Sequence, residues 1–213
     1  MNFRQTYNSI QLFVRKQYAL FFITSIIIGI FSGCSESYTP KKKAYFRIDF
    51  PKERHFVKYE SSYCPFTFEY ADLGQIQKDS SNTTDLHEHP CWFNIVYPEY
   101  MAKIYLSYSA IDKHNTLDKL IKDSYKLTFK HTVKADYIDE TIIRSENKNV
   151  SGILYDVGGN AASAVQFYVT DSTTHFLRGS LYFYAPPNAD SIAPSVAYFR
   201  NDVIHLIETL KWK

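Results

Sequence analysis

Short segments in which apolar and polar residues alternate fill most of the chain after residue 44. A period of two is typical of strands that bury one face, and Tyr, Phe, Ile and Val favour them. The pattern predicts strands at 45–50, 56–60, 64–70, 92–97, 103–109, 135–142, 150–157, 162–170 and 175–184. Short links join the last four, which predicts an antiparallel meander. Residues 71–90 offer little to bury and predict an exposed loop.

Two segments with apolar residues three and four positions apart predict helices. In the first, at 117–128, Asn115 or Thr116 offers the N-cap, and in the second Asp190 or Ser191 offers it. The apolar positions of the second helix are Val196, Phe199, Val203, Ile204, Ile207 and Leu210. Strands, helix, strands and helix predict one α+β domain at 44–213, with an antiparallel sheet flanked by two main helices. This order is similar to the PsbP/Mog1-like sandwich, a likeness of fold that carries no function.

The first 33 residues differ in character from the rest of the chain. A basic stretch ends at Lys16, and an uncharged, nearly all-apolar run follows at 18–31. A spanning helix needs about 20 such residues, whereas a signal peptide needs about 7 to 15. Two small residues and then Cys34 follow, which resembles the lipobox of bacterial lipoproteins. We predict a signal peptide at 1–33, a lipid anchor at Cys34 and an extended tether at 34–43; the alternative is an uncleaved anchor with an incidental cysteine.

Export to the envelope bears on the other two cysteines, Cys64 and Cys91. In an oxidising compartment a disulfide is the simplest account of such an even pair. Two reduced, buried cysteines are the alternative. A catalytic thiol is less favoured than either, because no basic or histidine-rich context surrounds Cys64.

Composition excludes some classes of protein. Of 213 residues, 24 are Lys or Arg and 22 are Asp or Glu, a formal net charge of +2. The signal peptide holds three of these bases and no acid, so the mature chain carries 21 bases and 22 acids. No nucleic-acid partner is predicted from this balance. Eighteen Tyr and sixteen Phe exceed what one small core needs, which indicates that some rings contact a partner; the alternative is Tyr on the solvent face of strands.

No phosphate-binding glycine loop, zinc-binding H-E-x-x-H helix or G-x-S-x-G nucleophile elbow is present in the sequence. His87, Glu88, His89 and Cys91 could each ligate a metal, and His87 and His89 would point to the same side of an extended segment. A metal site also needs a third or fourth ligand and an ordered second shell, so a polar loop that leads into a disulfide cysteine is the better account. Asp171, Ser172 and His175 resemble parts of a catalytic triad, but their closeness in sequence favours a side-chain-capped turn. The sequence predicts no cofactor, no metal and no catalytic residue, with an envelope hydrolase or metal-dependent enzyme as the alternative.

Several strings, in order along the chain, resemble the gliding-motility lipoprotein GldD family of Bacteroidota. They are YFRID (45–49), CPFTFEY (64–70), CWFNI (91–95), KIYLSY (103–108), GGNAAS (158–163), QFYVTDS (166–172), HFLRG (175–179) and LKW (210–212). The resemblance runs from Cys34 to the C-terminus. It implies an envelope lipoprotein that is needed for gliding, is linked to the type IX secretion machinery and has no enzymatic activity.

The sequence as a whole predicts a non-catalytic protein-interaction module held at the outer membrane and facing the periplasm, with other gliding or secretion proteins as partners. A ligand-binding lipoprotein is a further alternative. Interface energy concentrates in aromatic and arginine side chains, so Tyr45, Arg47 and Arg178 are the candidate contacts. The alternative for the two arginines is an ion pair within the fold, Arg47 with Asp49 and Arg178 with Asp171.

Overall fold

The computed structural model describes residues 15–18, 20–21, 47–78, 90–145, 149–186 and 188–213. The chain divides into two units, Met1–Ala44 and Tyr45–Lys213. In the first unit, the described residues are helical and exposed. Among all described residues, no helix is both long and apolar enough to cross a membrane. Cys34 and the predicted tether lie outside the described residues.

The second unit has the predicted α+β composition. Its helices are α1 (Leu117–Phe129) and α2 (Ala189–Thr209), with short 3₁₀ turns at Pro98–Tyr100 and Lys130–Val133. Its strands are β1 (Phe56–Glu60), β2 (Phe66–Ala71), β3 (Gln75–Lys78), β4 (Trp92–Tyr97), β5 (Ala102–Ala110), β6 (Ala135–Ser145), β7 (Val150–Gly159), β8 (Ser163–Thr170), β9 (His175–Phe183) and β10 (Lys211–Trp212). They form a three-stranded sheet, β1-β2-β10, and a seven-stranded sheet, β3-β4-β5-β9-β8-β7-β6. All neighbours pair antiparallel, and the predicted meander from β6 to β9 is confirmed.

The predicted strand at 45–50 is wrong in its described part, because residues 47–50 have no strand partner. Phe50 instead stacks on Tyr198 of α2, with ring centroids 4.2 Å apart. Farther along the segment, Arg54 pairs with Asp202 of the same helix at 2.6 Å. Phe50 and Arg54 therefore join this part of the chain to α2, and residues 47–50 do not extend a sheet.

Two other boundaries also differ from the prediction. Gln75–Lys78 of the predicted loop forms β3 and pairs with β4; all four residues are exposed, so no apolar pattern marks them. Residues 79–89 lie outside the described residues. The second helix begins one residue after Asn188, whose side chain accepts a hydrogen bond from the Ser191 backbone N–H at 3.3 Å, so neither of the predicted N-caps is correct. The cap of α1 is Thr116, one of the two predicted residues.

The main core lies between one face of the large sheet and a layer formed by α2 and β2. Its largest fully buried side chains include Phe66, Phe68, Tyr97, Phe167, Phe199, Leu177 and Leu181. Burying one such apolar side chain contributes about 1.5–3 kcal/mol. Gly179 permits this packing in the sheet, because a Cβ atom there would collide with the ring of Phe167 on the neighbouring strand.

The opposite face of the large sheet is covered by α1. This helix packs on a small second cluster of Tyr155, Tyr168 and Phe176, which belong to β7, β8 and β9. Side chains alternate across a strand, so Arg178, Ser180 and Tyr182 of β9 share this face, while Leu177 and Leu181 enter the main core. Toward β4 and β5, beyond the second cluster, this face forms an open cleft.

A disulfide joins Cys64 to Cys91 across a Cα–Cα distance of 5.5 Å. Cys64 precedes β2 of the small sheet, and Cys91 precedes β4 of the large sheet. Both cysteines are buried. The cross-link therefore ties the two sheets together where their strands begin.

Candidate functional site

The cleft has a volume of about 610 Å³, which is within the range of ligand-binding sites. Its chemistry comes from six side chains on β4, β5, β9 and the residue after β9: Trp92, Lys103, Tyr105, Arg178, Tyr182 and Tyr184. Leu127 of α1 closes one side. Lys103 and Tyr105 are two positions apart on β5, and Tyr182 pairs opposite Lys103 on β9, so strand alternation and register bring them to one face.

The aromatic part of the cleft holds one of its two cations in place. The rings of Tyr105 and Tyr182 meet edge to face, with centroids 5.4 Å apart. The Lys103 Nζ atom lies 4.0 Å from the ring centre of Tyr105 and 4.9 Å from that of Tyr184. Burial opposes the charged form, but the contacts with these two tyrosines outweigh it and raise the pKa of Lys103. The ammonium therefore stays charged at neutral pH while lying against aromatic rings.

The second cation, Arg178, is held by a neutral partner. Its Nη2 atom donates to Oε1 of Gln166 at 2.6 Å, and Gln166 is fully buried. The Oγ1 atom of Thr128 on α1 lies 3.3 Å from the same oxygen and shares its one hydroxyl hydrogen with the carbonyl oxygen of Ser124 at 3.0 Å. Burial lowers the pKa of Arg178 below its ordinary value, yet arginine remains charged at neutral pH. No carboxylate among the described residues pairs with this guanidinium, so the predicted ion pair with Asp171 is wrong.

Asp171 is used elsewhere, in the turn between β8 and β9. Its Oδ1 atom accepts from the backbone N–H groups of residues 173–175 at 2.8–3.0 Å. Partial burial opposes its charged form, but these donors outweigh burial and hold the pKa of Asp171 below its ordinary value. The Nδ1 atom of His175 lies 2.8 Å from the phenol oxygen of Tyr108. The hydroxyl of Ser172 lies 3.5 Å from that of Ser151. These residues form the predicted capped turn, and their side chains do not converge as a triad.

The other predicted site residues lie apart from the cleft or outside the described residues. Arg47 pairs with Asp49 at 2.7 Å, with its side chain 88% exposed, so the predicted ion pair is present. Tyr45, His87 and His89 are outside the described residues. Within the described part of the chain, no group of three potential metal ligands comes together.

Sequence reasoning identified Arg178 but missed the residues around it. The indication in the sequence was the spacing of Lys103 and Tyr105, and of Tyr182 and Tyr184, which are each two positions apart. Residues with this spacing on a strand point to the same face. The pairing of β5 with β9 brings the two pairs together. That pairing joins strands far apart in the sequence, so the pattern along either strand could not show it.

Comparison with known proteins gives one family and a distant likeness of fold. A family model described as gliding motility lipoprotein GldD matches residues 35–212. No curated protein sequence matches significantly. Among solved structures, the solution structure of cyanobacterial PsbP (CyanoP) from Synechocystis sp. PCC 6803 is similar, with a TM-score of 0.45 and 10% identity, over 79% of this chain and 98% of that chain. A likeness at this level supports no conclusion about activity.

Proposed function

The chain belongs to the gliding motility lipoprotein GldD family, and on this basis we propose that it is a lipid-anchored, non-catalytic interaction module of the gliding machinery, linked to type IX protein secretion. The observation that carries the proposal is the family match itself, which extends over residues 35–212. Because the match begins directly after Cys34, it also supports this cysteine as the first residue of the mature chain.

The proposed anchor is Cys34, whose sulfur is diacylated before the chain is cut in front of it and residues 1–33 are removed. More than one acyl chain on a single cysteine gives lasting attachment, whereas one chain gives only reversible binding. The tether at 34–43 has ten residues, which reach at most about 33 Å when extended. Its three lysines can contact anionic headgroups, each adding about 1 kcal/mol near a charged surface. Ser35 in place of Asp after the cysteine favours the outer membrane, with the domain in the periplasm.

A binding role is supported by the chemistry of the cleft. It presents two cations and several aromatic rings, side chains that anchor protein interfaces, and among the described residues its lining contains no Asp, Glu or His. A ligand-binding lipoprotein would instead favour an enclosed, mostly apolar cavity. Tyr45 and Arg47 stay predicted contacts beside the tether.

The anchor can be tested by replacing Cys34. We expect Cys34→Ala to accumulate as unprocessed precursor and to lose labelling by radioactive or alkyne-tagged fatty acid, because the only acylated sulfur is gone. Ser35→Ala is the matched control and should be processed and labelled normally. Normal acyl labelling of Cys34→Ala would contradict the proposed anchor.

A further inference from the structure

The cleft carries positive charge without compensation from its own walls. Lys103 and Arg178 line it, and among the residues that the structure describes no Asp or Glu does. Partly buried charges in proteins are normally paired, yet the partner of Arg178 is the neutral amide of Gln166, and the contacts of Lys103 are with tyrosine rings. Burial raises the pKa of Tyr182 more than neighbouring Arg178 lowers it, so that phenol also stays neutral. An anion from outside is the partner that this arrangement lacks.

The spacing of the cations indicates the size of that partner. Arg178 pairs across the sheet with Ser107, and Lys103 is four residues before Ser107 on β5. At about 3.4 Å per residue along β5 and about 4.8 Å between neighbouring strands, the two cations start from backbone positions about 14 Å apart. A single carboxylate or phosphate is too small to engage both. Tyr105 lies between these two positions along β5, and its ring, edge to face with that of Tyr182 opposite Lys103, offers an apolar contact.

The position of the cleft in the sheet excludes one way of binding a peptide. Strands β4, β5 and β9 are each paired on both sides, so none has a free edge to which another strand could add. Recognition must therefore use side chains, and planar carboxylates fit the guanidinium fork of arginine with two parallel hydrogen bonds.

We propose that this cleft binds an acidic segment of a protein partner, with one carboxylate on Arg178, a second on Lys103 and an apolar residue between them against Tyr105 and Tyr182. An extended chain spans about 13 Å in four residues, so the segment carries its acids four positions apart. This inference deepens the proposed function and rests on it for the partner being a protein.

The test is a calorimetric titration of the full-length lipoprotein in detergent with the blocked peptide Glu-Gly-Leu-Gly-Glu. We expect binding that weakens with added salt, and roughly tenfold weaker binding of the neutral peptide Gln-Gly-Leu-Gly-Gln. Arg178→Gln and Lys103→Gln should each weaken binding of the acidic peptide several-fold, and Arg178→Lys should restore it only in part, because lysine lacks the fork. Lys58→Gln removes an exposed positive charge elsewhere in the domain and should leave the affinity unchanged.

Equal binding of the acidic and neutral peptides would overturn the inference. Tighter binding of trigalacturonate, a sugar chain with comparable acids, or of inorganic phosphate would overturn the assignment to a peptide. The thermal unfolding midpoint is measured for every variant, and if Arg178→Gln does not fold, Lys103→Gln and Arg178→Lys still decide the question. Loss of gliding in Arg178→Gln without any peptide binding by the unaltered protein would overturn this inference and leave the proposed function standing.

Discussion

Replacing both Cys64 and Cys91 by alanine is expected to lower the free energy of unfolding by about 3.5 kcal/mol, by the chain-entropy estimate. The disulfide closes a loop with a sequence separation of 27 residues. Without it, the unfolded chain gains the freedom that the closed loop denied it. Both positions are buried in the folded protein. Alanine is therefore the better replacement, because serine would leave a buried hydroxyl in place of each sulfur. Urea unfolding followed by circular dichroism measures the difference.

The reduced unaltered protein is the control for this substitution. It should unfold at nearly the urea concentration of the double variant, because both lack the same cross-link. Thiol alkylation of the denatured, unreduced mature protein should find no free sulfhydryl. Quantitative alkylation of both cysteines, or equal stability of the unaltered protein and the variant, would show that the bond does not stabilise the protein in the envelope.

Asp202→Asn is expected to gain stability relative to the unaltered protein as the pH rises from 4 to 7.5. The Asp202 side chain is 1% exposed, and its Oδ2 atom has no hydrogen-bond partner within the described structure. Burial raises the pKa of Asp202 from 3.8 to about 6, although Arg54 and His205 act in the opposite direction. The ion pair with Arg54 at 2.6 Å therefore compensates only part of the cost of burying the charge.

The direction of this change in stability with pH follows from proton binding. Between pH 4 and pH 6 the folded protein holds a proton on Asp202 that the unfolded chain has released, so stability falls as the pH rises through this window. Asparagine has no such proton. The difference in unfolding free energy between Asp202→Asn and the unaltered protein should therefore move by about 2 kcal/mol in favour of the variant between pH 4 and pH 7.5.

Asp171→Asn is a control of opposite sign. Backbone N–H donors outweigh burial and hold the pKa of Asp171 below its ordinary value, so loss of its charge should cost stability above about pH 4. Urea unfolding at pH 4, 5, 6 and 7.5 gives both trends. A constant difference between Asp202→Asn and the unaltered protein across these pH values would refute the account of Asp202.

The sequence predicts elements well where local pattern and tertiary use coincide. The bounds of β4 follow from alternation, and the structure confirms them. Capping chemistry leaves Asn115 and Thr116 both open as the cap of α1, and the structure has Thr116. At 47–50 the same alternation misleads, because Phe50 stacks on Tyr198 and not within a sheet. Strand β3 has no apolar pattern because it is an exposed edge strand that exists through its pairing with β4.

The cleft could be predicted only in part. Arginine beside glycine in a strand indicates Arg178 as a candidate contact, and the alternative, an ion pair within the fold, names Asp171 as its partner. In the structure Arg178 of β9 donates a hydrogen bond to Gln166 of the neighbouring strand β8. The carboxylate of Asp171 instead accepts backbone hydrogen bonds in its own turn. Local sequence cannot choose between a close partner in a turn and a cross-strand partner when both are geometrically accessible.

The measurement that tests the central claim most directly is gliding speed in a strain whose only copy carries Arg178→Gln, scored with the amount of acylated, folded protein in its membrane fraction. The account predicts that gliding and partner crosslinking are lost, while the protein remains at its normal level and the Lys58→Gln strain glides normally. Normal gliding of the Arg178→Gln strain, or a loss of gliding matched by loss of folded protein, would contradict an interaction module that works through this cleft.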